Sequence, residues 1–210
     1  MAPRGFAKSR RLLSTGMLVM LVTAAAHTAV GQTAPDTTRP RHTKADVAFM
    51  QGMIAHHGQA IVMSALVPSR TERVPLRMLA ERITVSQRDE IRLMRTWLLD
   101  RHEEAPVAGA HQMPHDGGAL VVLMPGMLIA ERLAELEAAR GPEFERLFLE
   151  SMIRHHEGAL TMVATLFGTP GGGQEVDAFR FASDVDADQR AEIRRMRALL
   201  EATPSGTRRP

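Results

Sequence analysis

The chain contains no cysteine, no tyrosine and one tryptophan (Trp97), and aromatic residues make up only 4% of its 210 positions. Without cysteine there can be no disulfide, and thiolate is removed from the possible metal ligands. The scarcity of aromatic and β-branched residues argues against a sheet and leaves the core to aliphatic side chains, alanine and 14 methionines. No serine stands beside a histidine in a glycine-framed turn, so no nucleophile–base arrangement points to an enzyme. No basic stripe is present, and nucleic acid is not an expected partner. The length fits one domain plus a targeting segment, or at most two small domains.

Residues 1–31 read as an export signal. Arg4, Lys8, Arg10 and Arg11 form its basic end, Leu12 to Ala26 its apolar stretch, and small residues follow, with cleavage expected after Ala26 or Gly31. Ser9-Arg10-Arg11-Leu12-Leu13 resembles a twin-arginine signal, which leaves the export route open. The alternative is an uncleaved anchor, although the apolar run is shorter than the roughly 20 residues a span needs. The segment carries four of the 26 basic residues and no acid, so the remainder holds 22 basic against 24 acidic residues, a net charge of −2. The expected location is periplasmic or secreted, with no integral membrane domain once the signal is removed.

Residues 32–43, rich in Pro, Thr and Arg, read as a lead-in to a domain spanning 44–202. Apolar residues at spacings of three and four predict helices over about 44–67 and 74–102. A Pro/Gly/His linker, a bend at Met124-Pro125-Gly126-Met127 and a short helix over about 128–140 follow. Two more helices are expected at about 142–167 and 176–202, and a tail at 203–210. The halves repeat: Met53-Ile54-Ala55-His56-His57 recurs as Met152-Ile153-Arg154-His155-His156, and Gln87, Glu90-Ile91 as Gln189, Glu192-Ile193. Repeat 1 covers 44–102, a linker 103–140 and repeat 2 141–202. Two helix pairs that cannot bury their apolar stripes alone most simply dock as an all-α antiparallel four-helix bundle, ferritin-like in outline.

The repeated doublets carry the chemistry. On a wheel of about 100° per residue, Met53 and His57 lie within roughly 40° of Asp46, and Met152 and His156 within the same arc of Glu145. His57 and His156 are therefore expected at the core's centre, with His56 and His155 at its edge beside Met63 and Met162. Imidazole with thioether favours copper, Cu(I) above all, over iron or magnesium, while imidazole alone also suits zinc and Cu(II). No histidine has a glutamate three residues before it, as di-iron bundles do. A hydrogen-bonded network of core histidines is the plain alternative. Gln87 and Gln189 are candidate partners for the free imidazole nitrogens, and Asp46 and Glu145 candidate orienters or ligands that also suit helix starts. His111, Met113 and His115, with Met124, form a candidate second site, or a flap over the first.

These residues resemble the domain of unknown function 305 family of exported bacterial bundle proteins. The resemblance rests on Asp46-x-x-Phe49, on Met53-Ile54-x-His56-His57-x-x-Ala60 with Met63, and on Met124-x-Gly126-Met127. Phe148-Leu149 and Met152-Ile153-x-His155-His156-x-Gly158-Ala159 with Met162 complete it. It implies a ferritin-like bundle and a role in periplasmic copper binding and resistance through His56, His57, His155, His156, Met53, Met152, Met63, Met162 and Met127. The expectation is thus a copper buffer or carrier, with a metal ion as partner, while a second envelope copper protein and a homo-oligomer remain open. A metal-dependent oxidoreductase using copper or iron, and a metal-free interaction bundle, are the alternatives.

Overall fold

The computed structural model of the chain describes residues 42–107 and 123–202, and every regular element among them is helical. The candidate signal, the lead-in up to residue 41, the tail from residue 203 and the linker residues His111, Met113 and His115 lie outside the described residues. Five α-helices run in order: α1 (Lys44–Leu66), α2 (Val74–Asp100), α3 (Ala130–Ala138), α4 (Gly141–Gly168) and α5 (Val176–Glu201). Each bound falls within two residues of the one the periodicity predicts. No described helix is long and apolar enough to cross a membrane.

Local chemistry sets these bounds. Thr43 caps α1 through a capping box: its hydroxyl accepts from the Asp46 amide (3.2 Å), while the Asp46 carboxylate accepts from the Thr43 amide at 2.7 Å. Pro75 and Pro142 sit in the first turns of α2 and α4, where a missing N–H costs nothing. The Glu175 carboxylate caps α5 by accepting from the Ala178 amide at 2.8 Å.

Tertiary packing follows the repeat. α1 packs along α2, α4 packs along α5, and the two hairpins meet where α1 lies against α4. A groove opens on the far side between α2 and α5, lined by Glu90, Leu93, Phe181 and Asp184. Two apolar clusters fill the interior. One holds Met63, Leu76, Ile83, Phe144, Phe148 and Met152, and the other Phe49, Met53, Ile54, Met94, Leu98 and Val163. The equivalent methionines Met53 and Met152 thus fall in different clusters, and the histidine doublets occupy the polar layer that separates them.

The repeat also swaps its clamps. The second oxygen of Asp46, at the start of α1, accepts from the Gly173 amide in the α4–α5 loop at 2.7 Å. Its counterpart Glu145, at the start of α4, accepts from the Thr71 hydroxyl in the α1–α2 loop and pairs with Arg73. Each half therefore fastens the other half's turn, and burial of these carboxylates is offset by such hydrogen bonds.

Candidate metal centre

All four histidines of the doublets are fully buried. His56 from α1 and His155 from α4 meet across the seam, with ring centroids 3.8 Å apart and planes tilted by 35°. His57 and His156 turn the other way, toward the partner helix of their own hairpin. His57 Nε2 donates to Glu90 at 2.5 Å, and His156 Nε2 donates to Glu192 at 2.7 Å. Full burial of His57 and His156 agrees with the helical-wheel expectation, and the correction falls on His56 and His155, which are interior and not at an edge. The doublet members placed at the edge are the ones that converge, because the seam between α1 and α4 runs along the His56/His155 face, and the bend at 124–128 covers the edge that a bare wheel leaves open.

That bend is a strap with several anchors. His56 Nε2 donates to the Pro125 carbonyl at 2.9 Å. The buried Gln59 amide donates to the Leu128 carbonyl (2.9 Å), and its oxygen accepts from the Leu128 amide (2.7 Å). The strap crosses α4 at Gly158, where a Cβ would lie 1.9 Å from the Pro125 oxygen. Gly126 has φ +79°, a conformation that favours glycine, and a Cβ there would sit 2.4 Å from the Arg154 carbonyl.

Electrostatics keep the paired rings neutral. Burial, together with the neighbouring His57, lowers the pKa of His56 from its ordinary 6.5 to about 3, against the opposing pull of the Pro125 carbonyl. Burial, with the His56 and His156 rings adding, pushes His155 well below its ordinary value too. Glu90 behaves oppositely. Burial raises its pKa, but the hydrogen bond and charge of His57 outweigh that and hold it below the usual carboxylate range.

With Nε2 of His56 carrying its proton to Pro125, the lone pair is on Nδ1, which has no partner. Neither ring nitrogen of His155 makes a hydrogen bond of good geometry; the His56 backbone carbonyl is its one weak acceptor, and it pulls the pKa upward against burial. An unsatisfied buried polar group costs about 1–3 kcal/mol, so a bare His155 is an unfavourable end state and a bound ion would satisfy it. The donors therefore fit a metal. Among the described residues no group of three or more His, Asp or Glu is placed to hold an ion.

The remaining candidates divide. Met53, Met63 and Met152 are buried in the apolar clusters on either side of the histidine layer. Met124 and Met162, both half-buried, meet over Gly52: a Cβ there would lie 3.4 Å from the Met124 sulfur and 3.3 Å from the Met162 methyl. Met127 is half-buried on the strap. Gln87 and Gln189 are buried with their side-chain oxygens unpartnered, and the carboxylates one turn further along, Glu90 and Glu192, hold the imidazoles instead. Asp46 and Glu145 bind the loops described above. Sequence reasoning missed Glu90, Glu192 and Gln59 as contributors. The two glutamates recur with the same offset as Gln87 and Gln189, and position 59 breaks the repeat, with glutamine where the second copy has Gly158.

A bundle of two helical hairpins with a histidine layer between methionine-rich clusters is the class that fold and site define. A profile of the domain of unknown function 305 family matches residues 46–200, and the chain belongs to that family. A crystal structure of a fragment of this family from Deinococcus radiodurans is 31% identical, with a TM-score of 0.63 over 78% of this chain and 99% of that one. A candidate secreted member from Streptomyces coelicolor is 28% identical, with a TM-score of 0.63 over 76% and 93%. CopM in its Cu(I)-bound form is 26% identical, with a TM-score of 0.56 over 75% and 96%. Uncharacterized protein L153 of Acanthamoeba polyphaga mimivirus is 39% identical over 56 residues, 27% of this chain and 37% of that protein, so the match spans little over a third of that relative.

Proposed function

We propose that the chain is an exported copper-binding protein that buffers or carries the ion, with Cu(I) held at the His56/His155 pair. The observation that carries this reading is His155: a fully buried imidazole, held neutral, with no hydrogen bond of good geometry at either nitrogen, lying 3.8 Å from a second imidazole with a free lone pair. Cu(I) accepts two or three soft ligands, and neutral imidazole with thioether suits it. Met124 and Met162, half-buried over Gly52 one turn before His56, are thioethers close to α1 on the strap side. The likeness to CopM, crystallised with Cu(I) and with silver, supports a soft ion over a hard one. The secreted description of the Streptomyces relative supports export. His57 and His156, bound to their glutamates, position the helices that carry the pair and complete the doublet.

Competition of the purified protein against a chromophoric Cu(I) chelator tests the reading. The parent is expected to withdraw Cu(I) from the chelator and His155→Leu to fail to do so. Equal affinity in the two would overturn the assignment to this pair.

A further inference from the structure

We propose that Gln59 is a positioning residue that sets how fast a soft monovalent ion exchanges with the histidine pair, by latching the 124–128 strap over it. The inference rests on the metal-binding reading above and adds the element that controls access to that site.

His56 and His155 have no exposed surface, so an ion reaches them only when some covering segment moves. The helices are long and packed against one another, and parting them means opening the apolar clusters. The strap is short and non-helical, and local opening begins in such segments. Pro125 lies directly on the pair, since its carbonyl takes the His56 N–H. Gln59 is the side chain that binds the strap twice, beside the single His56 bond to Pro125 and the buried Leu128 side chain. Its side-chain amide is 2% exposed and makes both of its bonds to one residue, Leu128, accepting from the N–H and donating to the C=O. That is the pairing a neighbouring strand would offer, supplied by one side chain from 69 positions away.

The internal repeat isolates this role. Position 59 corresponds to position 158 in the second copy. One helix offers a side chain that grips the strap, and the other offers a glycine whose missing Cβ lets the strap pass. A Cβ there would stand 1.9 Å from the Pro125 oxygen. Two otherwise matching helices thus diverge where one holds the cover and the other makes room for it. The same strap carries Met124, whose sulfur lies over Gly52 as the Met162 methyl does. Opening the latch therefore also moves the Met124 thioether away from Gly52, one turn before His56 on α1.

Loading the full protein with Ag(I), and releasing it into a large excess of a thiol chelator in a stopped-flow instrument, reads the exchange rate. Gln59→Leu removes both bonds at similar volume and is expected to speed release by about ten- to a hundredfold. Binding speeds up in parallel, so the equilibrium affinity stays close to that of the parent. Gln59→Glu keeps the acceptor for the Leu128 amide, loses the donor, and falls between the two. Hydrogen exchange at the Leu128 amide should rise in the same order. If Gln59→Leu does not fold, Gln59→Glu carries the test with the same two readouts. Parental release rates in the folded variants would overturn the latch, and so would a lower melting temperature with unchanged exchange, the mark of a merely structural contact. A parent that takes up neither Ag(I) nor Cu(I) would instead sink the metal reading itself, which separates the two failures.

Discussion

His56 and His155 face each other across the α1–α4 seam with ring centroids 3.8 Å apart, and neither nitrogen of His155 makes a hydrogen bond of good geometry. A protein that keeps such a ring buried gives up stability for a donor it can use when an ion arrives. Replacing it with an apolar side chain of similar size removes the unsatisfied nitrogens. Metal-free His155→Leu is therefore expected to be as stable as the parent, or more stable by about 1–3 kcal/mol, in denaturant titration. The parent should gain melting temperature on addition of Ag(I) and the variant should not, because only a ligand bound to the native state stabilises it. A variant that is markedly less stable without metal would show that His155 serves the fold.

The metal-free protein should weaken in mild acid. The His56 pKa is depressed to about 3, while the unfolded chain takes up the proton near 6.5. Between those values the unfolded state binds more protons, so stability is complete above pH 6.5 and is lost as pH falls toward 3. The loss is about 1.4 kcal/mol per pH unit for each such histidine, and His155, shifted the same way by burial and its neighbouring rings, adds to it. Glu90 contributes stability in its ionised form that also disappears as pH drops. Chemical denaturation at a series of pH values between 7 and 4 should trace a falling midpoint; a flat profile would mean that the rings are solvated.

Gly158→Ala places a methyl group against the Pro125 carbonyl, where the free distance is 1.9 Å. Either the strap lifts or α4 shifts, at a cost of about 1–3 kcal/mol by the measure of overpacked cores. Thermal denaturation should show the loss. Parental stability would mean that the strap does not cross α4 at this point.

The crossed clamps predict equal treatment of the halves. Asp46→Ala removes the capping box on α1 and the bond to Gly173, and Glu145→Ala removes the partner of Thr71 and Arg73. Each is expected to cost about 1–3 kcal/mol and to leave Cu(I) affinity unchanged, since neither carboxylate touches the doublets. A drop in affinity for either variant, measured by chelator competition, would place these acids in the site.

Much of this was legible in the chain. The three- and four-residue spacing of apolar side chains, with Pro and Gly marking the breaks, placed the five helices, and the repeated doublet drew attention to the four histidines. What the wheel misjudged was the place of His56 and His155, expected at an edge and found fully buried. A single helix carries no information about which neighbour its flanks meet, and the His56 side became interior only through the strap. The glutamates were hidden for a related reason. Gln87 and Glu90 lie one turn apart on α2, and which of them reaches His57 depends on the stagger between α1 and α2, a property of packing that the helical pattern leaves unset. Gln59 was hidden because its partner is the backbone of Leu128, and a backbone group has no signature in a sequence.

The central claim, that His56 and His155 hold the ion through the nitrogens left free in the fold, is tested most directly by long-range proton–nitrogen NMR of the imidazole rings during Ag(I) titration. His56 Nδ1 and one nitrogen of His155 are expected to shift in step and to couple to the silver nucleus, while His56 Nε2 keeps its proton on Pro125. Shifts confined to His57 and His156, or no shift in any ring, would contradict it.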